Sequence, residues 1–220
     1  LYDGVVRYVD KQIERLVEYL KQEDLWDDTV LVITGDHGEA FGERGVYEHP
    51  WHHLFDELLR VPLLVRTPWD DGSRITNPFS LAWIHEIVAE VADIDPASVP
   101  ASTETGKHLN STADMDRTVV SDSVSVHGYS AAVRNSEYKY VEHRCNPVPE
   151  YVNDSTGETA VFRTSRDRGE TDPLDTERVP VRLRKSVDDY YISPEEVNSL
   201  DRALSSEATE RLGQLGYLTE

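Results

Sequence analysis

The sequence of 220 residues has little cysteine and no long apolar run. Its single cysteine, Cys145, excludes a disulfide framework within the chain and a zinc site built from several cysteines. No apolar stretch approaches the ~20 residues that a membrane-spanning helix needs. We therefore expect a globular chain without a membrane segment, long enough for one domain, alone or with a small appended unit.

Basic residues are also scarce. The chain has 22 Lys and Arg against 42 Asp and Glu, which gives a formal net charge of −20. Because contacts to phosphates need a basic face, we expect no nucleic acid among its partners. The carboxylates are spread along the whole chain, a pattern that keeps proteins soluble at high salt. We interpret it as a sign of a halophilic archaeal source, with an ordinary acidic protein as the alternative.

The chain opens without an initiator Met and without a charged-then-apolar leader of the kind that signal peptides have. It begins directly on a helical pattern, with no strand before it. We therefore expect that Leu1 is not the native start, and the absence of a leader then carries little information. The compartment stays undetermined, with the cytoplasm slightly favoured.

The first half of the chain alternates helical and strand patterns. Apolar residues recur at helical spacing over residues 3–22 and again after Ser80, which resembles a helix N-cap. Between them, residues 29–34 and 61–65 are short apolar runs that predict strands buried on both faces. This alternation predicts an α/β layer with a mostly parallel sheet over residues 1–117.

The second half, residues 118–220, is predicted as a small α+β subdomain. A linker rich in Ser, Thr, Ala and Pro precedes it, and three short strand patterns then predict a small antiparallel sheet, over residues 118–120, 131–134 and 138–142. Residues 146–190 are acidic and weakly periodic, which predicts a long and only partly ordered loop. Ser193-Pro194-Glu195-Glu196 then predicts the start of a C-terminal helix that runs to about Leu215.

The stretch TGDHGEAFGERGVYEH, from Thr34 to His49, concentrates glycine, carboxylate and histidine directly after a predicted strand. Asp36 and His37 would follow the C-terminal end of that strand, the edge at which open α/β sheets bind ligands. A carboxylate beside an imidazole offers one oxygen and one nitrogen to a divalent cation. His49 would return to the same site and hold an anionic oxygen. From these residues alone, a helix cap beside a surface histidine is the more frequent interpretation.

Four segments together carry a family pattern. They are YVDKQIERLVEYL (8–20), TGDHGEAFGERG (34–45) with DELLRVPLLV (56–65), AVRNSEYKYVEH (132–143) and RLGQLGYL (211–218). In this order they resemble the second half of the sulfatase family, within the alkaline phosphatase superfamily. The resemblance implies the C-terminal portion of an alkaline-phosphatase-like α/β sandwich, plus a small antiparallel-sheet subdomain with a C-terminal helix. It covers most of the chain apart from residues 146–190.

The resemblance also implies roles for individual residues. Asp36 would be a metal ligand, and His37 matches the second position of the pair, which is Asn in many sulfatases and His in others. The ion would be divalent, with Ca²⁺ favoured and Mn²⁺ or Mg²⁺ as alternatives. His49 falls where many members carry a Lys that contacts the sulfate, so it would be the catalytic and substrate-binding residue of this segment. His52 and His53 are nearby substitutes for substrate binding if the loop register differs.

Two parts of a sulfatase site are not found in this sequence. The family's nucleophile is a formylglycine made from the Cys or Ser of a Cys/Ser-x-Pro-x-Arg segment, and two further Asp ligands come from near its N-terminus. Cys145-Asn146-Pro147 resembles that segment only in part, because Pro149 stands where Arg is required. We therefore expect the nucleophile and the other ligands in a missing N-terminal half, and the isolated chain to be inactive.

The expected substrate is a small-molecule or saccharide sulfate ester. Two alternatives stay open at this point. One is another hydrolase or transferase of the superfamily, acting on phosphonate monoesters, phosphodiesters or phosphoethanolamine, because the Asp-His pair occurs there too. The other is a catalytically inactive fragment that kept the scaffold.

Overall fold

The computed structural model describes residues 1–68, 72, 74–91, 118–125, 128–145, 159–191 and 193. The chain divides into two compact units. Unit 1 comprises residues 1–36, 61–76 and 85–106, and unit 2 comprises residues 37–60, 77–84 and 107–220. The predicted domain boundary after residue 117 adjoins residues outside the described ranges and stays a prediction.

The helices and strands are as follows. The helices are α1 (Tyr2–Gln22), α2 (Asp56–Leu59), α3 (Ile84–Val91) and α4 (Val181–Tyr190). The strands are β1 (Leu31–Thr34), β2 (Ala40–Phe41), β3 (Tyr47–Glu48), β4 (Leu63–Arg66), β5 (Val119–Ser125), β6 (Gly128–Arg134), β7 (Lys139–Cys145) and β8 (Thr159–Phe162). Among the described residues, no helix combines the length and the apolar character needed to cross a membrane.

Unit 1 contains the predicted amphipathic helix and two strands. Helix α1 forms where the helical spacing predicts it. Apolar residues at this spacing usually pack on a core, but none of the residues of α1 is buried in the described chain. Strands β1 and β4 form where two buried strands were predicted. They pair with each other antiparallel, in the register Leu31↔Arg66, and β1 is only partly buried.

The expected parallel sheet is therefore wrong for the described residues. All strand pairs within the described ranges are antiparallel. A parallel pair needs a crossover that returns the chain to the starting edge of the sheet. Residues 37–60, between β1 and β4, instead belong to unit 2, and β4 runs back along β1. The mixed α/β class itself is confirmed.

Unit 2 is built on a four-stranded antiparallel sheet in the order β5-β6-β7-β8. The predicted antiparallel subdomain is thus confirmed, with longer strands than the sequence indicated. Because side chains alternate between the faces of a strand, the sheet has two apolar faces. One face packs against α4 through Leu183 and Val187. The other face packs against Leu54 and Phe55 through Ala132, Val141, Ala160 and Phe162.

The expectation of a long loop over residues 146–190 is wrong for its described part. Strand β8 pairs with β7, and helix α4 buries Leu183 and Val187 on the sheet. These elements depend on tertiary contacts: β8 has only four residues, and no side chain caps the start of α4. The predicted linker at 95–117 and nearly all of the predicted C-terminal helix lie outside the described residues.

Candidate functional site

The candidate site begins where the chain passes from unit 1 to unit 2, between Asp36 and His37. Asp36 follows β1 in unit 1 and its side chain is exposed. His37 opens the unit 2 segment that runs to Arg60, and it too is exposed. The two residues adjoin in sequence, and the structure describes each within its own unit.

Gly38 holds this segment close to helix α2. Its N–H donates a hydrogen bond to the carbonyl oxygen of Leu58 at 2.7 Å. A Cβ atom at this position would lie 1.9 Å from the carbonyl oxygen of Glu57, well inside van der Waals contact. Only glycine therefore allows the backbone next to His37 to approach α2 this closely.

The ring orientation of His37 favours metal binding through one nitrogen. Its Nδ1 lies 2.7 Å from the carbonyl oxygen of Gly38. Because a carbonyl oxygen can only accept a hydrogen bond, Nδ1 carries the proton. The neutral ring then has its lone pair on Nε2, and this hydrogen bond is the usual way in which proteins orient an imidazole ligand.

The structure brings His49 next to His37. The two-stranded ribbon of β2 and β3 reverses the chain, and the ring centroids of His37 and His49 lie 4.4 Å apart. The Nδ1 of His49 lies 3.3 Å from Oε1 of Glu39, and the His49 side chain is 56% exposed. An exposed imidazole beside the expected metal ligand is placed to meet an anionic ligand, which fits the predicted role of His49 without testing it.

The described residues supply at most part of a metal centre. Within the described ranges, no three or more His, Cys, Asp or Glu side chains are grouped so that they could hold a metal ion. Asp36 and His37 stay predicted ligands, each within its own unit: an exposed carboxylate and an imidazole with its lone pair on Nε2 are each of a type that suits a divalent cation. Which ion binds, and whether one binds, stay predictions.

The structure buries His52 and His53, and the substrate-binding role expected of them stays a prediction. Both residues are only 3% exposed. The Nδ1 of His52 lies 3.0 Å from Oγ of Ser130, and Nε2 of His53 lies 2.8 Å from Oε1 of Glu57. His52 thus connects the segment to β6, whereas His53 and Glu57 pair within the segment itself. The prediction for these two residues rested on sequence position alone, which carries no information on burial.

A buried group of charges around Lys139 contacts the 37–60 segment at Asp56. Arg134 donates to both carboxylate oxygens of Asp56 at 2.6 Å, and the Lys139 ammonium lies 3.1 Å from Oδ1 of Asp56 and 2.7 Å from Oε1 of Glu170. Lys139 is only 1% exposed. Burial alone would raise the pKa of Asp56, but Lys139 and Arg134 lower it to about 2. Burial raises the pKa of Glu170 despite its contact with Lys139.

Arg44 links the ribbon to this group of charges. Its guanidinium lies over the Phe55 ring at 3.9 Å, forms an ion pair with Glu57 and donates to the carbonyl oxygen of Gly169 at 2.7 Å. Sequence reasoning missed Arg44 and the charges around Lys139. Their partners lie up to 126 positions away in the chain, as between Arg44 and Glu170, so no local pattern marks them.

Comparison with known proteins finds a family match for the first part of the chain. The family model described as "Sulfatase" matches residues 1–91. Residues 1–91, less than half of the chain, are thus similar to the sulfatase family. The match includes the whole Thr34–His49 stretch, so the resemblance to sulfatases is confirmed for this segment. A halophilic source is not tested by the comparison and stays a prediction.

Three curated relatives illustrate the range of similarity. The choline-sulfatase of Rhizobium meliloti is 25% identical over 150 residues, which are 66% of this chain and 29% of that protein. The N-acetylglucosamine-6-O-sulfatase of Bacteroides thetaiotaomicron is 36% identical over 67 residues, 30% of this chain and 12% of that protein. The phosphoethanolamine transferase EptA of Salmonella typhimurium is 39% identical over 66 residues, 29% of this chain and 12% of that protein. The chain thus spans less than a third of these relatives.

Solved sulfatase structures show the same fold. A 2-O GAG sulfatase superposes with a TM-score of 0.61 and 21% identity, over 90% of this chain and 42% of that chain. A putative sulfatase from Bacteroides thetaiotaomicron superposes with a TM-score of 0.61 and 19% identity, over 90% and 42% of the two chains. The predicted fold class is confirmed. This chain superposes on under half of each neighbouring chain.

Proposed function

We propose that this chain is the C-terminal part of a metal-dependent sulfatase that hydrolyses sulfate esters. The observation that carries the proposal is the arrangement of His37 and His49 within a segment that matches the sulfatase family. His37 has its proton fixed on Nδ1, and the exposed ring of His49 lies beside it. The remaining ligands and a formylglycine nucleophile would come from a part of the protein that precedes this chain.

Each residue of the proposed site has a defined task. Asp36 and the Nε2 atom of His37 would hold a divalent cation, Ca²⁺ in preference to Mn²⁺ or Mg²⁺. When bound, such a cation polarises an oxygen of a tetrahedral anion. His49 would neutralise charge on the sulfuryl oxygens or give a proton to the leaving alcohol. Glu39 accepts from its Nδ1 and keeps the ring beside His37.

The proposed substrate is a small-molecule or saccharide sulfate ester. Support comes from relatives named for choline sulfate and N-acetylglucosamine-6-sulfate chemistry. A structural neighbour with a TM-score of 0.59 is described in complex with its substrate D-glucosamine-2-N,6-O-disulfate. That likeness at 18% identity supports the fold, and the substrate class is our proposal.

A second candidate function is transfer or hydrolysis at phosphorus. EptA of Salmonella typhimurium is 39% identical over its matched region, and a multifunctional alkaline phosphatase superfamily protein, PehA of Trinickia caryophylli, is 31% identical over 71 residues. A catalytically inactive fragment is the remaining alternative. Rates of the longer protein on 4-nitrophenyl sulfate and on bis(4-nitrophenyl) phosphate would separate the three.

The decisive experiment is Asp36→Ala in the protein extended by its upstream coding sequence. We expect turnover of 4-nitrophenyl sulfate to be nearly abolished and the bound metal, measured by mass spectrometry, to fall with it. Asp28→Ala, an exposed carboxylate on the turn before β1, is the matched control and should change neither quantity. Normal turnover with full metal content in the Asp36 variant would refute the assignment.

A further inference from the structure

Arg44 lies in the turn of the ribbon formed by β2 and β3, and the two histidines of the proposed site flank the other end of this ribbon. His37 lies shortly before β2, and His49 directly follows β3. The ribbon has only two residue pairs. A two-stranded ribbon of this length is not stable by itself in water, so its position depends on what holds it to the rest of unit 2.

The guanidinium of Arg44 holds the turn of the ribbon on several sides. It pairs with Glu57 on α2 and lies 3.9 Å from the centroid of the Phe55 ring. It also donates to the carbonyl oxygens of Gly169 and Glu170, at 2.7 Å and 3.1 Å. These two residues belong to the turn of residues 163–172 after β8, called the 163–172 turn. Arg44 therefore joins the ribbon both to α2 and to the 163–172 turn.

The backbone is left-handed on both sides of this contact. Arg44 has φ 53° and Glu170 has φ 52°, a region that residues other than glycine rarely occupy. Such a conformation costs free energy and persists only where the surrounding contacts fix it. At Arg44 those contacts are the ion pair and the two hydrogen bonds to carbonyl oxygens, all made by its own side chain. We therefore attribute the shape of the ribbon's turn to the contacts of the Arg44 side chain.

The exposure of the two side chains separates the role of Arg44 from that of His49. The Arg44 side chain is 11% exposed, and both terminal nitrogens of its guanidinium already have acceptors. The His49 side chain is 56% exposed. His49 is thus the residue placed to meet a ligand, and we assign Arg44 an indirect role.

Gly38 and Arg44 hold the two ends of the ribbon against the same helix. The N–H of Gly38 donates to the carbonyl oxygen of Leu58, and Arg44 pairs with Glu57, the residue before Leu58 in α2. Val46, in the turn of the ribbon, is buried in one apolar cluster with Leu58. A ribbon fixed at both ends keeps the residues before β2 and after β3 side by side, and these residues are the two histidines of the proposed site.

We propose that Arg44 is a positioning residue: by fixing the turn of the ribbon to α2 and to the 163–172 turn, it holds His49 beside His37. The consequence for catalysis rests on the proposed function, because it acts through His49 on the sulfuryl group. The positioning itself is a property of this chain and is measured without turnover. It gives the 163–172 turn, far along the chain, a part in supporting the site.

Nuclear Overhauser effects between the rings of His37 and His49 test the positioning on the chain alone. Because the ring centroids lie 4.4 Å apart, the unmodified chain should give a cross-peak between the two rings. Arg44→Met keeps a long unbranched side chain but removes the charge and the donors, and we expect the cross-peak to be lost. Arg44→Lys keeps the charge for Glu57 but lacks the second nitrogen that reaches the carbonyl oxygens, so it should retain part of the cross-peak.

Arg144→Met is the matched control. Arg144, on β7, also pairs with carboxylates, those of Glu142 and Asp188, and lies 4.9 Å from the centroid of the Tyr191 ring. None of these partners belongs to the ribbon or to α2, so the cross-peak should stay intact. Loss of the cross-peak in both variants, or its persistence in a folded Arg44→Met chain, would overturn the proposal.

Glu57→Gln keeps the test decisive if Arg44→Met does not fold, as judged by circular dichroism. This substitution removes the ion pair of Arg44 and leaves its hydrogen bonds to Gly169 and Glu170 in place. We expect a weakened cross-peak in Glu57→Gln and in Arg44→Lys. An unchanged cross-peak in both variants would overturn the proposal.

Turnover by the protein extended by its upstream coding sequence tests the consequence for catalysis. We expect Arg44→Met to lower kcat for 4-nitrophenyl sulfate by about tenfold to a hundredfold, the cost of a misplaced catalytic group, with bound metal unchanged. In a His49→Ala background the same substitution should change kcat little, because its effect passes through His49. An equal loss in both backgrounds would overturn the proposal. An extended protein without sulfatase activity would count against the proposed function alone, since the cross-peak still decides whether Arg44 positions His49.

Discussion

At the scale of single residues, the environment of each histidine decides what it can do. His37 and His49 are exposed and adjacent, whereas His52 and His53 are buried and hydrogen-bonded. The sequence predicted all four as site residues because they share one short stretch. It could order them along the chain, but the contact of His52 with Ser130 joins residues 78 positions apart, and no local spacing reveals it.

Gly38 offers a test of how closely the His37 backbone must approach α2. Gly38→Ala places a methyl group within 1.9 Å of a backbone oxygen, so the segment has to move. We expect a loss of about 1–3 kcal/mol in the free energy of unfolding, the usual cost of overpacking, as measured by urea denaturation.

Gly4→Ala is the control for this substitution. Gly4 lies in α1 with nothing within 4 Å of its added methyl group. Because alanine is the better helix former, we expect no loss and a gain of up to ~1 kcal/mol. An equal loss in both variants would show that the contact of Gly38 with α2 is unimportant.

At the scale of elements, the order along the chain was predictable and the pairing was not. Helix α1, strands β1 and β4 and the antiparallel strands β6 and β7 all lie close to their predicted positions. The parallel sheet was wrong because alternation of helix and strand does not fix strand direction when the connection enters another unit. Strand β8 was missed because it has only four residues. Helix α4 was missed because most of its sequence is polar and it buries only Leu183 and Val187.

The segment formed by residues 49–59, called the covering segment, depends on Lys139, which contacts Asp56 and Glu170 from a buried position. Lys139→Met leaves two carboxylates without their shared cation. We expect a loss of about 3–5 kcal/mol in the free energy of unfolding, since an unpaired buried charge is costly. Thermal or urea denaturation at neutral pH measures it.

Lys11→Met is the matched control. Lys11 pairs with Glu14 on the exposed surface of α1, and such pairs contribute little. We expect no measurable change in stability. If both lysine variants behave alike, the buried charges are not what keeps the covering segment in place.

At the scale of the whole molecule, net charge is the dominant property. A charge of −20 destabilises a compact chain through self-repulsion, and salt screens it within a Debye length of about 10 Å at 0.1 M. We expect the midpoint of thermal unfolding to rise between about 0.1 and 2 M NaCl. A falling or constant midpoint would argue against the proposed halophilic source.

Acid should act on the molecule in two separate steps. Because the pKa of His143 is lowered from 6.5 to about 4, its neutral form stabilises the fold above pH 6.5, and this stabilisation is lost as the pH falls through 4. The pKa of Asp56 is lowered from 3.8 to about 2, so its contribution persists until the pH drops below 3.8.

The exposed helix α1 has a practical consequence for handling the purified chain. Its 21 residues include none that is buried, and apolar side chains such as Val9 and Leu16 face solvent. Such a surface binds amphiphilic dyes. It also promotes aggregation as the protein concentration rises, although the acidic molecules repel one another strongly. This repulsion is weakest at a pH near the isoelectric point of 4.7, and we expect the protein to precipitate there first.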